Sequence, residues 1–550
     1  MKTRRMAGVA ASILAGSLVL AACSGTDSGN GGETEGGGEE TTAAEGGAAS
    51  GEIVSVNGVE PQNPLVPGNT NETGGGKIVD LLYAGLFYYD ASGAVQNEVA
   101  ESIETEDSQT YTITLKDGWT FTDGSPVTAN SFVDAWNYTA LLSNAQNNSY
   151  FFEGIEGFSY DEDSELTGLE VVDDLTFTVT LKQPEADFPL RLGYTAYYPL
   201  PEVAFEDMEA FGENPIGNGP YMMDGEGAWE HNVGVDVVPN PDYQGGRTPA
   251  NGGVEVRFYE GLDAAYNDLL SGNLDVIDAI PDSAYGTYEE ELEGRSVNQP
   301  AAIFQAFTFP EYLPEWAGEA GKLRRAAISH AINREEITET IFQGTRTPAS
   351  DFTSPVIDGW SDSIPGSEVL EYDEELAKEL WAEAEAIEPF TGSFTMAYNS
   401  DGGHQAWADA VTNNVRNVLG IEAEGQPYAT FAELLDDRDA GTMTGPFRSG
   451  WQADYPGLNN FLAPLYYTGA GSNDGQYSNP EFDELINQGN AAESVEEANE
   501  IFQRAQEILF EDLPQVPLWY SNVNGGWAEG VENVEFSWNS VPLMYQVTKG

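Results

Sequence analysis

Side chains that do covalent or metal chemistry are scarce in this sequence. One cysteine, Cys23, and three histidines, His231, His330 and His404, are spread over 550 residues. A His- or Cys-built metal site needs several such ligands at short spacings, so no metal or other cofactor is expected. No GxxxxGK[ST] phosphate loop, GxSxG elbow or HExxH pair occurs. The glycine-rich tract Gly29–Gly38 lacks the strand before it and the helix after it that a dinucleotide fingerprint requires. Carboxylates abound, 92 Asp plus Glu against 21 Lys plus Arg, so their pairing says little. A glycosidase working with two of them stays open as a minor alternative. No serine stands in a recognisable nucleophile context, so the expectation is a binder and not an enzyme.

The elements that must position a binding site come next. A formal charge of −71 repels phosphate backbones and anionic headgroups, which excludes nucleic-acid binding and basic membrane patches. Forty per cent apolar and eleven per cent aromatic residues suffice for two to four core units. Lys2, Arg4 and Arg5 precede an apolar or small run from Met6 to Leu20, which closes with Leu20-Ala21-Ala22-Cys23. That run is too short to span a bilayer and reads as a signal peptide over 1–22. It resembles a bacterial lipoprotein signal, with Cys23 as the lipidated residue; an ordinary cleavage site with a chance cysteine is the plainer alternative. Residues 23–50 are Gly, Glu, Ser, Thr and Ala with little else, a lipidated linker without core-forming side chains. The mature chain is thus expected outside the cytoplasm, lipid-anchored to the outer face of the cell membrane.

Beyond Gly51, strand and helix signals mix, which argues for an α/β or α+β fold. Tyr111–Lys116 and Leu175–Leu181 alternate as half-buried strands. Thr128 is placed to cap a helix carrying Phe132, Ala135, Trp136, Thr139 and Leu142 on one face. Asn333 with Glu336, Asn479 with Pro480, and Ser494 with Glu497 mark three more helix starts. Gly344 ends one helix and Pro514 another, and Val516–Tyr520 reads as extended.

Several blocks then carry a family resemblance: Ile78–Ala135, Asn214–Met223 (NPIGNGPYMM), Gly272–Pro281 (GNLDVIDAIP), Leu323–Ile337, Phe447–Leu465 and Tyr477–Ile486. Their order resembles the solute-binding proteins of peptide-type ABC importers, most of all the oligopeptide-binding lipoproteins of solute-binding family 5. The resemblance implies a type II periplasmic-binding-protein-like α/β fold, with two hinged lobes and an extra subdomain in the larger lobe (cluster C). Mapped here, lobe I takes 51–76, 215–308 and 515–550, the extra subdomain 77–214, and lobe II 309–514. Ile303–Phe307 and Val516–Tyr520 become the hinge crossovers. Implied partners are an oligopeptide ligand and the transmembrane permease subunits with their cytoplasmic ATPases; the binding protein itself is expected to be a monomer.

The resemblance also assigns residues. In Arg448-Ser449-Gly450-Trp451-Gln452-Ala453-Asp454-Tyr455, Asp454 would pair with a peptide α-ammonium. Trp451, Gln452 and Ala453 would lie along the peptide, and Arg448 would face its carboxylate end. His404, after Tyr398-Asn399-Ser400-Asp401, is a second candidate for that end. Asn69–Glu72 is expected as a cleft loop. Plainer roles stay open: Asp454 capping a turn before Pro456, Trp451 in a core, Arg448 paired with a surface acid. The same fold serves dipeptide, nickel-chelate and oligosaccharide import; few histidines disfavour nickel, while eleven tryptophans keep sugars as the alternative. The acidity reads either as a solvated surface or as adaptation to saline surroundings, where salt screens self-repulsion. Cys23→Ser is expected to release the protein into the medium or leave the signal uncleaved. A membrane-bound, normally processed Ser variant in fractionation would refute lipidation at this residue.

Overall fold

The computed structural model describes residues 51–550 except 401, 402 and 430; Cys23, the export segment and the linker lie outside the described residues. Alternation builds the smaller sheet. Strands Thr110–Leu115 and Thr176–Thr180 pair antiparallel with Ile113 opposite Phe177, and Ala100–Thr105 and Leu169–Asp173 flank them. Tyr111, Ile113, Phe177 and Val179 point into one buried face, while the intervening threonines stay wetter. Helix Ala129–Ala140 lays Phe132 and Trp136 on that face, their rings 5.9 and 5.6 Å from Phe177. Leu142 departs from the expected stripe. The helix stops at Ala140, Leu141 turns extended, and Leu142 starts a 3-10 turn that faces solvent.

The larger sheet has twelve strands. Its centre is the antiparallel pair Ser296–Thr308 and Gln515–Trp527. On one side follow Val276–Ile277, Ile53–Gly58, Gly253–Phe258, Gly234–Pro239 and Tyr221–Met223; on the other follow Phe447–Gln452, Phe394–Asn399 and Ala423–Tyr428. Pairing along the central strands is regular from Ser296 opposite Gly526 to Pro300 opposite Asn522, then shifts before Phe304 opposite Tyr520. Pro300 offers no N–H to the ladder, which suits it to that break. The hydrophobic core changes at the same place. Val523 belongs to a core that also holds Val54, Ile78, Trp136 and Val256. Phe304 and Tyr520 belong to a second core with Phe461 and Phe510, and Phe307 and Trp519 to a third with Trp316 and Trp407. Helix starts follow their caps: Asn333 Oδ1 accepts from Glu336 N at 3.1 Å, Asn479 from Glu481 N at 2.9 Å, and Ser494 Oγ from Glu497 N at 3.2 Å. Glu497 reaches back to Glu493 N, one residue before the expected Ser494.

Few cations stand fully in solvent. Among the described residues only Lys182, Lys378, Arg416 and Arg504 are exposed cations, which leaves the outer surface almost purely acidic. Arg247 shows the interior use. Its Nε donates to Glu98 Oε1 (2.9 Å) and its Nη2 to Glu98 Oε2 (3.0 Å) and Tyr83 O (2.8 Å). Its Nη1 donates to Asp80 O (2.8 Å) and Asp80 Oδ1 (3.1 Å). Five guanidinium N–H groups thus have five acceptors, joining helix Thr73–Leu82 to the loop after hairpin Phe87–Asn97. Glu98 is fully buried, and burial raises its pKa while Arg247 lowers it. Removing one member of such a pair strands the other charge. Arg247→Met should therefore lose about 3–5 kcal/mol in urea unfolding, and the Arg247→Met/Glu98→Gln double variant should lose less than this.

Candidate binding site

The residues Gly450 to Asp454 form one wall of a cavity of about 420 Å³. The other walls are the loop and helix from Thr70 to Leu81, the aromatic residues Tyr88, Tyr89, Tyr194 and Tyr198, and the C-terminal segment from Ser537 to Tyr545. Strand Phe447–Gln452 supplies an open edge. On one side it pairs with Ser296–Thr308, Trp451 opposite Phe304 and Gln452 opposite Ile303. Ala453 N donates to Ala302 O at 2.9 Å, and in an antiparallel ladder bonded positions alternate. The N–H and C=O groups of Gly450 and Gln452 therefore point to the opposite edge. There the neighbouring strand Phe394–Asn399 meets only Phe447, so among the described residues no strand covers positions 450 to 452.

Asp454 closes that edge. Asn460, buried at the start of helix Asn459–Tyr466, holds it from behind. Asn460 Nδ2 donates to Asp454 Oδ2 (3.1 Å), while Asn460 Oδ1 accepts from Asp454 N and Trp451 Nε1 (3.0 Å each). The carboxylate thus takes its hydrogen bond from Asn460 and does not cap the Pro456 turn. Burial pushes its pKa up to about 6, the Asn460 bond opposing. No salt bridge reaches it among the described residues. Keeping this carboxylate ionised at neutral pH costs the fold about 3 kcal/mol, at 1.36 kcal/mol per pKa unit. Its charge also reaches the hydroxyls of Tyr89, Tyr150 and Tyr194, which burial already holds above the ordinary tyrosine range. Tyr455, next along, is fixed by the segment around Phe188: its hydroxyl donates to Asp187 Oδ2 (3.1 Å) and Arg191 lies 5.3 Å over its ring.

Trp451, Gln452, Ala453 and Asp454 are therefore brought together, whereas Arg448 and His404 are outside the cavity lining. Arg448 Nε donates to Asn399 Oδ1 (2.7 Å), and its guanidinium lies 4.3 Å over Phe431. His404 Nδ1 accepts from Trp407 Nε1 (3.0 Å). Of the expected cleft loop, Thr70, Asn71 and Glu72 do line the cavity. The sequence reading missed Lys77, Asn460 and Gly76. Gly76 belongs to a Gly74-Gly75-Gly76 run that opens helix Thr73–Leu82, where Glu72 caps Gly74 N (2.6 Å) and Gly75 N (2.9 Å). Added methyls at Gly74 and Gly75 would strike Val59 and Thr70 at 2.7 Å, but at Gly76 nothing lies within 4 Å. Packing explains the first two glycines and the cavity the third.

Known proteins frame this geometry. Residues 94–473 match the family described as bacterial extracellular solute-binding proteins, family 5. This chain belongs to that family. The solute-binding protein is 25% identical over 482 residues to the oligopeptide-binding protein OppA of Bacillus subtilis, covering 83% of this chain and 85% of the relative. It is 26% identical over 489 residues to the probable deoxycholate-binding periplasmic protein YgiS of Escherichia coli, covering 85% and 88%. Its fold matches the unliganded open form of the murein tripeptide-binding protein MppA with a TM-score of 0.76 at 23% identity, covering 91% and 98%. The type II periplasmic-binding-protein-like fold expected from the sequence is the one observed.

Gly76 offers a direct probe of the cavity. Gly76→Ala should stabilise the helix by about 0.5–1 kcal/mol in thermal unfolding, since alanine loses less entropy there. Gly76→Leu should fold equally well but project into the cavity, and its ligand-induced rise in melting temperature should vanish. Retained stabilisation in the Leu variant would place the ligand elsewhere.

Proposed function

We propose that this solute-binding protein captures peptides in extended form between two closing lobes and delivers them to the permease of an ABC importer, without altering them chemically. The observation that carries this reading is the pairing of an open strand edge with a half-buried carboxylate at its end, which no cation meets among the described residues. An extended peptide can add to the outward groups of Gly450 and Gln452 whatever its sequence. Its α-ammonium then meets Asp454, which relieves the cost of an uncompensated buried charge. Trp451 and Ala453 flank that strip, and Arg448 and His404 are kept for the carboxylate end of a peptide long enough to leave the cavity. The aromatic walls would also accept a sugar or a steroid face. A neutral sugar leaves Asp454 unpaired, however, and an anionic steroid adds repulsion.

The lobes are assigned as lobe I over 51–76, 215–308 and 515–550, with its extra subdomain over 77–214, and lobe II over 309–514. Supporting this, the central strand pair changes both register and core between Pro300 and Phe304, a natural place for a hinge. Contacts from Tyr455 to Asp187 and from Ala186 N to Asn490 O (2.8 Å) hold the two sides together across the cleft. Tethering through Cys23 to the outer face of the membrane, and a monomeric state, complete the proposal.

Calorimetry on a double-mutant cycle tests it. Asp454→Asn and N-acetylation of the peptide each remove one charge of the same buried pair. Each should weaken binding by about 2–5 kcal/mol, or about 30- to 4,000-fold, and together they should cost little more. Binding to the ionised form also sets a pH dependence. Affinity should hold above pH 6 and fall below it by up to about tenfold per unit, as Asp454 takes up its proton. Equal affinity for acetylated and free peptide would overturn the reading, as would stabilisation by oligosaccharide or deoxycholate alone.

A further inference from the structure

Five charged residues line the cavity: Glu72, Lys77, Asp80, Arg247 and Asp454. Only two are cations, and they differ in what they have left to give. Every N–H of Arg247 is already committed to Glu98, Asp80 and Tyr83. Lys77 has three N–H groups. Its Nζ contacts Asp278 Oδ2, and among the described residues no other hydrogen bond from it is present. Asp278 is itself fixed, since its Oδ1 accepts from Asn57 Nδ2 (2.7 Å) and its N donates to Asn57 Oδ1 (2.8 Å). Lys77 is therefore a cation held in place from one side, 22% exposed, with donors to spare on the cavity side of helix Thr73–Leu82. Burial lowers its pKa to about 8 while Glu72 pushes it up, so it is still mostly charged at neutral pH.

The position of the peptide ends makes that cation decisive. A peptide short enough to lie wholly within the cavity has both charged ends inside it, while Arg448 and His404 lie outside. A carboxylate buried there without a cation would be costly.

We infer that Lys77 reads the carboxylate end of peptides short enough to lie wholly within the cavity, whose ammonium is read by Asp454. The inference rests on the peptide reading above and adds a second specificity residue from the other lobe. It sets the preferred ligand as a short zwitterion, with its free ammonium and its free carboxylate both inside the cavity.

Calorimetry with Ala-Ala-Ala, its C-terminal amide and its N-acetyl form, on the full chain, tests the assignment. Wild-type protein should bind the amide about 10- to 100-fold more weakly than the free acid. Lys77→Gln should bind the acid about as weakly as the amide and cease to distinguish them, yet remain sensitive to N-acetylation, which shows that the site is still formed. Arg448→Gln should keep the wild-type preference for the acid. Should Lys77→Gln prove unstable through the stranded Asp278, the Lys77→Gln/Asp278→Asn variant removes both charges and should give the same loss of discrimination. An acid-over-amide preference that survives in these variants would overturn the inference, and one that disappears in Arg448→Gln would assign the carboxylate to Arg448. Sensitivity to acetylation without sensitivity to amidation in the wild type would sink Lys77 alone. Sensitivity to neither would sink the peptide reading itself.

Discussion

Two thirteen-residue strands, Ser296–Thr308 and Gln515–Trp527, pair antiparallel along the middle of the molecule, and the rest of the architecture hangs on that ladder. One end is packed into the core around Val54 and Trp136, and the other into the cores around Phe461 and Trp407. Backbone hydrogen bonds thus run from one core to the others. Strand Phe447–Gln452 is hung on the same ladder, so the edge that faces the cavity is as well placed as the sheet itself.

Electrostatics follows a similar division of labour. A chain with few cations places them where they oppose a specific carboxylate or satisfy carbonyls. Arg247 serves Glu98, Lys77 serves Asp278, and Arg334 donates to the carbonyls of Pro517, Ser329 and Leu370 without any acid. Burial accordingly drags the Arg334 guanidinium down to about 9. Among the described residues Asp351 and Asp454 stand outside that thrift with no cation beside them: the fully buried Asp351 is held by Thr353 and Tyr520, and Asp454 by Asn460 at the cavity wall.

Local pattern carried much of this fold, and distance in the chain hid the rest. Strands Thr110–Leu115 and Thr176–Thr180 alternate cleanly because one face is buried, and the caps at Asn333, Asn479 and Ser494 act over three residues, so both are visible in sequence. The run from Trp451 to Asp454 was visible through family resemblance. Lys77 was not, because its meaning depends on Asp278 and Asn57, which only the sheet brings near. Arg448 shows the converse: its neighbours in sequence line the cavity, while its own side chain turns towards Asn399 and Phe431. Asn460 reads as one more polar residue after a Pro-Gly turn, and Gly76 as a poor helix former.

Gly76 has an implication for how this site changes over generations. Most positions around a binding cavity are also packing positions, so altering the ligand usually risks the fold. At Gly76 the two are separated: an added methyl meets no atom within 4 Å, the backbone already sits in a helix, and any replacement is a better helix former than glycine unless it is proline. A single-codon change there can shorten or reshape the cavity while making the protein more stable. Narrow specificity is therefore within one mutational step of the present chain, and the broader site persists only while selection favours the empty space.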